Sequence, residues 1–433
     1  MPQFLTTTAL GFEQAFTALL SMKREDAPDV DATVAAIIAD VRARGDEAVI
    51  ELTARFDRLT LTPDTLAFTK AEIDAACAAV SPEDRAALEL AADRIRAYHA
   101  RQIPTDERWT DDTGASLGWR WSPVSAAGLY VPGGLASYPS SVLMNAIPAK
   151  VAGVERLVVV CPTPGGVVNP LVLLAARISG VDTVYRIGGA QAIAALAYGT
   201  QTVQPVDKIT GPGNAYVAAA KRRVFGKVGI DMIAGPSEIL VIADADNDPD
   251  WIALDLLSQA EHDESAQSIL ITPDAAFGQA VADAVAKRLE TLPRAAIAGA
   301  SWRDFGAIII CRDLTEAAAL SNRIAPEHLE LCTADPEGLS QQITHAGAIF
   351  LGAWTPEAIG DYVGGPNHVL PTARSARFSS GLSVLDFLKR TTLARMTPEA
   401  LAAIGPAAER LAISESLSAH GLSVRARLDR LNR

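Results

Sequence analysis

Six histidines are spread through the sequence, at positions 99, 262, 328, 345, 368 and 420, and four of them have polar or glycine-rich company. In the segment from Ser258 to Glu264, the i, i+3 spacing puts Gln259 and His262 on one face at the end of a helix. An imidazole and a hard oxygen donor converging there suit Zn²⁺, although an acidic, solvated helix end carries the same residue types. In Pro326-Glu327-His328-Leu329-Glu330 a carboxylate adjoins an imidazole just before a strand. Loops at strand ends carry catalytic groups, and Glu with His suits proton transfer near neutral pH, but adjacent Glu-His pairs without that role are common. From Gly360 to Pro371, Asp361 and His368 are joined through Gly364 and Gly365, which allow close backbone approach to a ligand. Glu415 and His420 lie near the end of a helix in an otherwise featureless tail, which solvation explains equally well. His99, with Arg94, Arg96 and Arg101 nearby, reads as part of a solvated helix face, and His345 is similarly plain.

A G-x-G-x-x-G dinucleotide fingerprint after a strand is missing. The nearest turns are Gly188-Gly189-Ala190-Gln191 and Gly211-Pro212-Gly213-Asn214-Ala215-Tyr216, each between a strand and a helix. Turn amides there suit a phosphate or a ribose, or the turns are simply tight. Cys77, Cys161, Cys311 and Cys332 lie far apart with no CxxC pair, so they form neither a zinc knuckle nor a disulfide framework. A reducing cytoplasm is the expected location, with Cys161 and Cys311 as buried structural thiols at strand ends.

The elements that must position these groups change character along the chain. The first 110 or so residues read mostly as helix, as in Val30 to Arg44 and in Ser81 to Arg101, where Ser81 caps and Pro82 opens the helix. Short apolar runs then alternate with helices: strands at 157–161, 183–187 and 208–210, with helices at 170–178, 190–197 and 215–224. The pattern resumes with strands at 238–243, 268–272, 307–311 and 348–351, and helices at 251–262 and 275–289. Repeated strand, glycine turn and helix predict two parallel sheets covered by helices. After residue 382 only helical pattern is visible. The 433 residues carry 38 Lys and Arg against 51 Asp and Glu, a net charge of −13 with no dense basic stretch, which argues against nucleic-acid binding. The hydrophobic fraction of 49 % with 21 % charged residues is that of a folded globular chain. Prolines interrupt the long uncharged windows at 121–149 and 157–176, so no membrane-spanning helix is expected, and Glu13 precedes any Lys or Arg, unlike a secretion signal.

In order along the chain, Gly128-Leu129-Tyr130-Val131-Pro132-Gly133-Gly134, Gly189 to Ala194, Gly211 to Asn214, Ala234-Gly235-Pro236-Ser237-Glu238, Gln259 to Asp263, Pro326 to Glu330, Asn367 to Pro371 and Glu415 to His420 form a set that resembles the histidinol dehydrogenases. That resemblance implies two successive NAD-dependent oxidations of L-histidinol, through a bound aldehyde, to L-histidine. It implies one Zn²⁺ held by Gln259, His262, Asp361 and His420, and substrate contacts from Ser237, His328, His368 and Glu415 together with the metal ligands. Tyr130, Gln191 and Asn214 match NAD-contacting positions, and Glu327 and His328 match the catalytic bases. It further implies a cytoplasmic homodimer in which the C-terminal segment reaches the partner's active site. The expected fold is α/β, two Rossmann-like parallel-sheet domains with an N-terminal helical segment (1–25) and a small C-terminal helical domain (382–433). Residues 26–129 and 239–381 would form the first α/β domain, and 130–238 the second, NAD-binding one. Two other readings stay open on the residues alone: a zinc hydrolase using Glu327, and a two-lobed small-molecule binding protein, against which the lack of a secretion signal speaks.

Overall fold

The Val-, Ile- and Leu-rich runs form parallel strands buried on both faces, and the glycine turns after them open helices. The computed structural model describes residues 2–22, 28–133, 138–233 and 235–431. Gly134 and Ala234 of the motifs above lie outside these, as do residues 1, 23–25 and 432–433 of the expected terminal segments.

The strands are β1 (Gln3–Thr6), β2 (Glu107–Thr110), β3 (Ser116–Pro123), β4 (Ala126–Tyr130), β5 (Arg156–Val160), β6 (Thr183–Tyr185), β7 (Lys208–Thr210), β8 (Gly229–Ile230), β9 (Glu238–Ala243), β10 (Gln267–Thr272), β11 (Ala307–Ile310), β12 (His328–Cys332), β13 (Ala348–Leu351) and β14 (Leu388–Arg395). A parallel five-stranded sheet runs β6-β5-β4-β7-β8, and a parallel six-stranded sheet runs β1-β11-β10-β9-β12-β13. Strand periodicity sorts the side chains. On β5, Leu157 and Val159 join one apolar cluster with Leu143, Ile147 and Leu173, while Val158 and Val160 join the other with Ile37, Ile193 and Val217. On β9, Leu240 and Ile242 face Phe16 and Leu320, and Ile239 and Val241 face Leu256 and Val281.

Three sequence expectations need correction. The N-terminal segment is not wholly helical, because Gln3–Thr6 pairs in parallel with β11 before the helix Phe12–Ser21 begins. The region after 382 is not wholly helical either: β14 pairs antiparallel with β3, which pairs with β2 in a separate three-stranded sheet. Leu388–Arg395 is mostly exposed and lacks apolar alternation, so backbone pairing defines it instead of a buried face. His99 is fully buried, its Nδ1 2.8 Å from the Ile95 carbonyl oxygen and its Nε2 3.4 Å from Asn367 Nδ2. The C-terminal helices Pro398–Ser414 and Ser418–Leu431 do form the expected small helical unit, with Gly405 close under Val424 and Leu428.

A buried ion pair holds one of the glycine turns. Lys221, on the helix Ala215–Val224, pairs with Asp231 and donates to the Gly211 carbonyl at 2.9 Å. Asp231 accepts from the Gly211 amide at 2.8 Å, so both polar groups of Gly211 are held by one charge pair. Gly211 itself has φ +108° and a Cβ there would meet the Tyr130 carbonyl oxygen at 2.1 Å, so only glycine fits. Removing one partner leaves a buried charge unpaired: Lys221→Met lowers stability by about 3–5 kcal/mol, seen as a lower urea midpoint at unchanged slope. An unchanged midpoint would show that the pair does not hold the turn.

Candidate active site

Glu238, the first residue of β9, orients two neighbouring side chains through its own peptide groups. Its amide donates to Glu327 Oε2 at 2.9 Å, and its carbonyl oxygen lies 3.0 Å from His328 Nδ1. The partner identifies Nδ1 as the protonated nitrogen and leaves the Nε2 lone pair bare; Nε2 is buried without a hydrogen-bond partner among the described residues. Burial lowers the affinity of His328 for a proton, opposed by the charge of Asp361. Burial raises that of Glu327 well above the ordinary carboxyl range, with the charge of Glu238 adding to it and the Glu238 amide opposing it. Burial thus favours the neutral imidazole of His328 and makes Glu327, once ionised, a stronger base than an ordinary carboxylate.

Both line a cavity of about 1700 Å³. Its opposite wall comes from the five-stranded sheet: Tyr130 at the end of β4, Gly189 to Gln191 and Gly213 to Tyr216. The Tyr130 hydroxyl accepts from the Gly189 amide at 3.0 Å, and burial pushes its proton affinity up to about 12. Asn214 caps the next helix with Oδ1, accepting from Tyr216 and Val217 at 3.1 and 3.2 Å, so its amide nitrogen is the group left for a ligand. The turn at Gly189 starts the helix Gly189–Tyr198, whose free amides suit a phosphate.

Metal-ligating chemistry converges on the same cavity. Gln259 Oε1 is buried with no hydrogen-bond partner among the described residues, and His262 Nδ1 lies 2.8 Å from the Ser258 carbonyl, which leaves Nε2 as its donor atom. Asp361 and His368 line the cavity too, with His368 Nδ1 3.1 Å from the Asp361 carbonyl oxygen and Nε2 3.5 Å from Ser141 Oγ. Ser237 lies on the wall as well. These donors, one amide oxygen, imidazole and one carboxylate, fit a divalent ion of borderline hardness. Glu415 and His420 are exposed on the C-terminal helical unit and away from the cavity wall of their own chain.

The sequence did not mark Glu357. Its Oε1, buried and without a hydrogen-bond partner among the described residues, is 3.7 Å from His328 Nε2, and its Oε2 accepts from Ser258 Oγ at 3.0 Å. Ligand atoms of His328, Glu357 and Asp361 all lie within 4.8 Å of one another. Behind it, Glu330 Oε1 accepts from the Glu357 amide at 2.6 Å. Pro356-Glu357 looks like an ordinary helix start, and nothing in its spacing signals burial. All four cysteines are buried; burial pushes the Cys161 thiol up to about 12 and Cys311 to about 11, so neither is a poised nucleophile.

Comparison with known proteins places this geometry. The family profile described as histidinol dehydrogenase matches residues 20–428. A histidinol dehydrogenase of Cereibacter sphaeroides is 82 % identical over 432 residues, covering all of both chains, and one of Ruegeria pomeroyi is 81 % identical with the same coverage. The crystal structure of histidinol dehydrogenase from Elizabethkingia anophelis superposes with a TM-score of 0.95 at 38 % identity, covering 100 % of this chain and 99 % of that one.

Proposed function

The chain belongs to the histidinol dehydrogenase family, oxidoreductases of histidine biosynthesis, and from that membership we propose that it catalyses the zinc-dependent, NAD-linked, four-electron oxidation of L-histidinol through L-histidinaldehyde to L-histidine. The observation that carries the reading is the bare, buried Nε2 of His328 beside Glu327, on the wall of a cavity that also gathers Gln259, His262 and Asp361. Gln259, His262 and Asp361 would hold the zinc, with His420 supplied by a second copy of the chain; Tyr130, Gln191 and Asn214 would contact NAD. Zinc supplies a cation that orients the substrate, and the dinucleotide supplies the hydride acceptor.

The residues of the chain do the proton work. His328 Nε2 takes the alcohol proton as the carbinol carbon is oxidised, while the Glu238 carbonyl steadies the imidazolium through Nδ1–H. Glu327 takes a proton from water as it adds to the aldehyde, the His328 imidazolium returns its proton to the carbonyl oxygen, and the now neutral His328 deprotonates the hydrated carbinol in turn. Ser237, His368 and Glu415 would bind substrate, the last from the partner copy. The exposure of Glu415 and His420, away from the cavity of their own chain, supports a homodimer with shared sites. Four buried thiols without a disulfide suit the cytoplasm, and the domain limits proposed are 1–25, 26–129 with 239–381, 130–238 and 382–433, except that β4 and the helices Pro28–Arg44 and Asp46–Asp57 go with the five-stranded sheet and β1 with the six-stranded one.

With limiting L-histidinol and excess NAD, zinc-loaded protein forms two NADH per substrate, and a chelator abolishes the reaction until Zn²⁺ is restored. One NADH would identify an enzyme that stops at the aldehyde, and none would overturn the reading. Because burial holds His328 below its ordinary value of roughly 6.5 and a bound cation pushes the same way, the neutral base persists to lower pH. The acid limb of kcat/KM therefore falls below pH ~6.5, and His328→Asn removes the limb and costs about 10²- to 10⁴-fold in rate. A wild-type limb above that value would contradict the assignment. Mixing inactive Glu327→Gln and inactive His420→Asn chains restores activity if sites are shared; verified mixed dimers that stay inactive would argue against it.

A further inference from the structure

The cavity extends well past the groups that would act on histidinol. Its far wall is built by two N-terminal helices, Pro28–Arg44 and Asp46–Asp57, through Ile37, Leu52, Arg55, Phe56 and Asp57. This wall stands against the five-stranded sheet, since Ile37 and Leu52 pack in one cluster with Tyr130, Ile187 and Ile193.

One polar group there is unexplained by the fold. Asp57, at the last turn of its helix, is half-buried, and its Oδ2 has no exposed surface and no hydrogen-bond partner among the described residues. Burial raises its proton affinity, and it lines the same cavity as Tyr130, Pro162 and Gly189. The other carboxylate on this wall, Asp40, is already held by Arg44 at 2.6 and 2.7 Å. An unsatisfied buried acceptor on a cavity wall is a site for a ligand donor, because leaving it unmet costs free energy that a bound hydroxyl recovers.

On the functional reading above, the oxidised end of the dinucleotide lies near His328 and its phosphates near the amides that open the helix at Gly189. The adenosine half must then continue to the wall formed by the N-terminal helices. We propose that Asp57 accepts a hydrogen bond from the 2′-hydroxyl of the adenosine ribose and is the residue that selects NAD over its 2′-phosphorylated form. The apolar surface of Ile37, Leu52 and Phe56 beside it suits the adenine ring. A carboxylate at this point accepts from a diol and repels a phosphate. Arg55 lies over the Phe56 ring, 5.3 Å from its centroid, and supplies a cation for a phosphate once the opposing charge is gone. Nothing in the sequence marks this role, since Asp57 does not follow a strand as the ribose-reading acid of a fingerprint does.

The test compares NAD, 2′-deoxy-NAD (adenosine side) and NADP in wild type, in the near-isosteric Asp57→Asn and in Asp57→Ser. Wild type should lose about 10- to 100-fold in kcat/KM when the 2′-hydroxyl is removed, and Asp57→Asn should lose a similar factor with NAD itself. Both variants should treat NAD and 2′-deoxy-NAD nearly alike, with KM for histidinol unchanged, and the NADP-to-NAD ratio should rise by at least about tenfold. The thermal midpoint of each variant reports folding, and the choice among the three dinucleotides is a ratio within one protein that a uniformly weakened fold does not move. Variants that still discriminate against 2′-deoxy-NAD and NADP as wild type does would overturn the inference alone. A wild type that reduces no NAD would overturn the functional reading, and this inference with it.

Discussion

The peptide unit of Glu238 ties the six-stranded sheet to the chemistry. Parallel pairing of β9 and β12 sets His328 opposite Ile239, and this register brings the amide and carbonyl of residue 238 to Glu327 and His328. Two side chains at the start of one strand are thus fixed by the backbone of its neighbour, and the tautomer of the base follows from sheet geometry. A one-residue slip of β12 would turn His328 to the other face and dissolve the site. The fully buried core strands on either side, with no polar residue on β9 beyond its first position, make that slip costly.

The two sheets contribute opposite ends. The five-stranded sheet follows the usual rule for open parallel sheets and offers the carboxyl ends of its strands, with the turns at Gly189 and Gly211. The six-stranded sheet offers the amino ends of β9 and β12 instead, where Ser237, Glu327 and His328 sit. Binding amides and proton-transfer groups are therefore separated by architecture, each on its own sheet, with helix-borne donors such as Gln259 and His262 closing the space between.

Much of this was legible in the residues. The β-branched runs at 156–160 and 238–243 carry enough apolar side chains to be buried on both faces, and the turns that open the helices at 189 and 215 carry the glycines that close approach requires. What stayed hidden depended on partners far along the chain. His99 has arginines around it in sequence, yet it packs under Asn367, and a 3.6-residue pattern with small apolar neighbours gave no hint of that cover. β14 is held by backbone pairing to β3 with little buried surface, so side-chain pattern is silent. Glu357 and Asp57 are ordinary helix-end acids until tertiary structure buries one of their oxygens.

The antiparallel three-stranded sheet also bears on how the polypeptide is made. β3 carries Trp119 and Trp121 at residues 116–123, but its partner β14 is synthesised roughly 270 residues later. At ribosomal speeds of about 5–20 residues per second, that edge waits some tens of seconds for its mate. β1 waits longer still for β11, its parallel neighbour. During translation the nascent chain thus carries an open edge at β1 until Ile310 and at β3 until Arg395 has emerged.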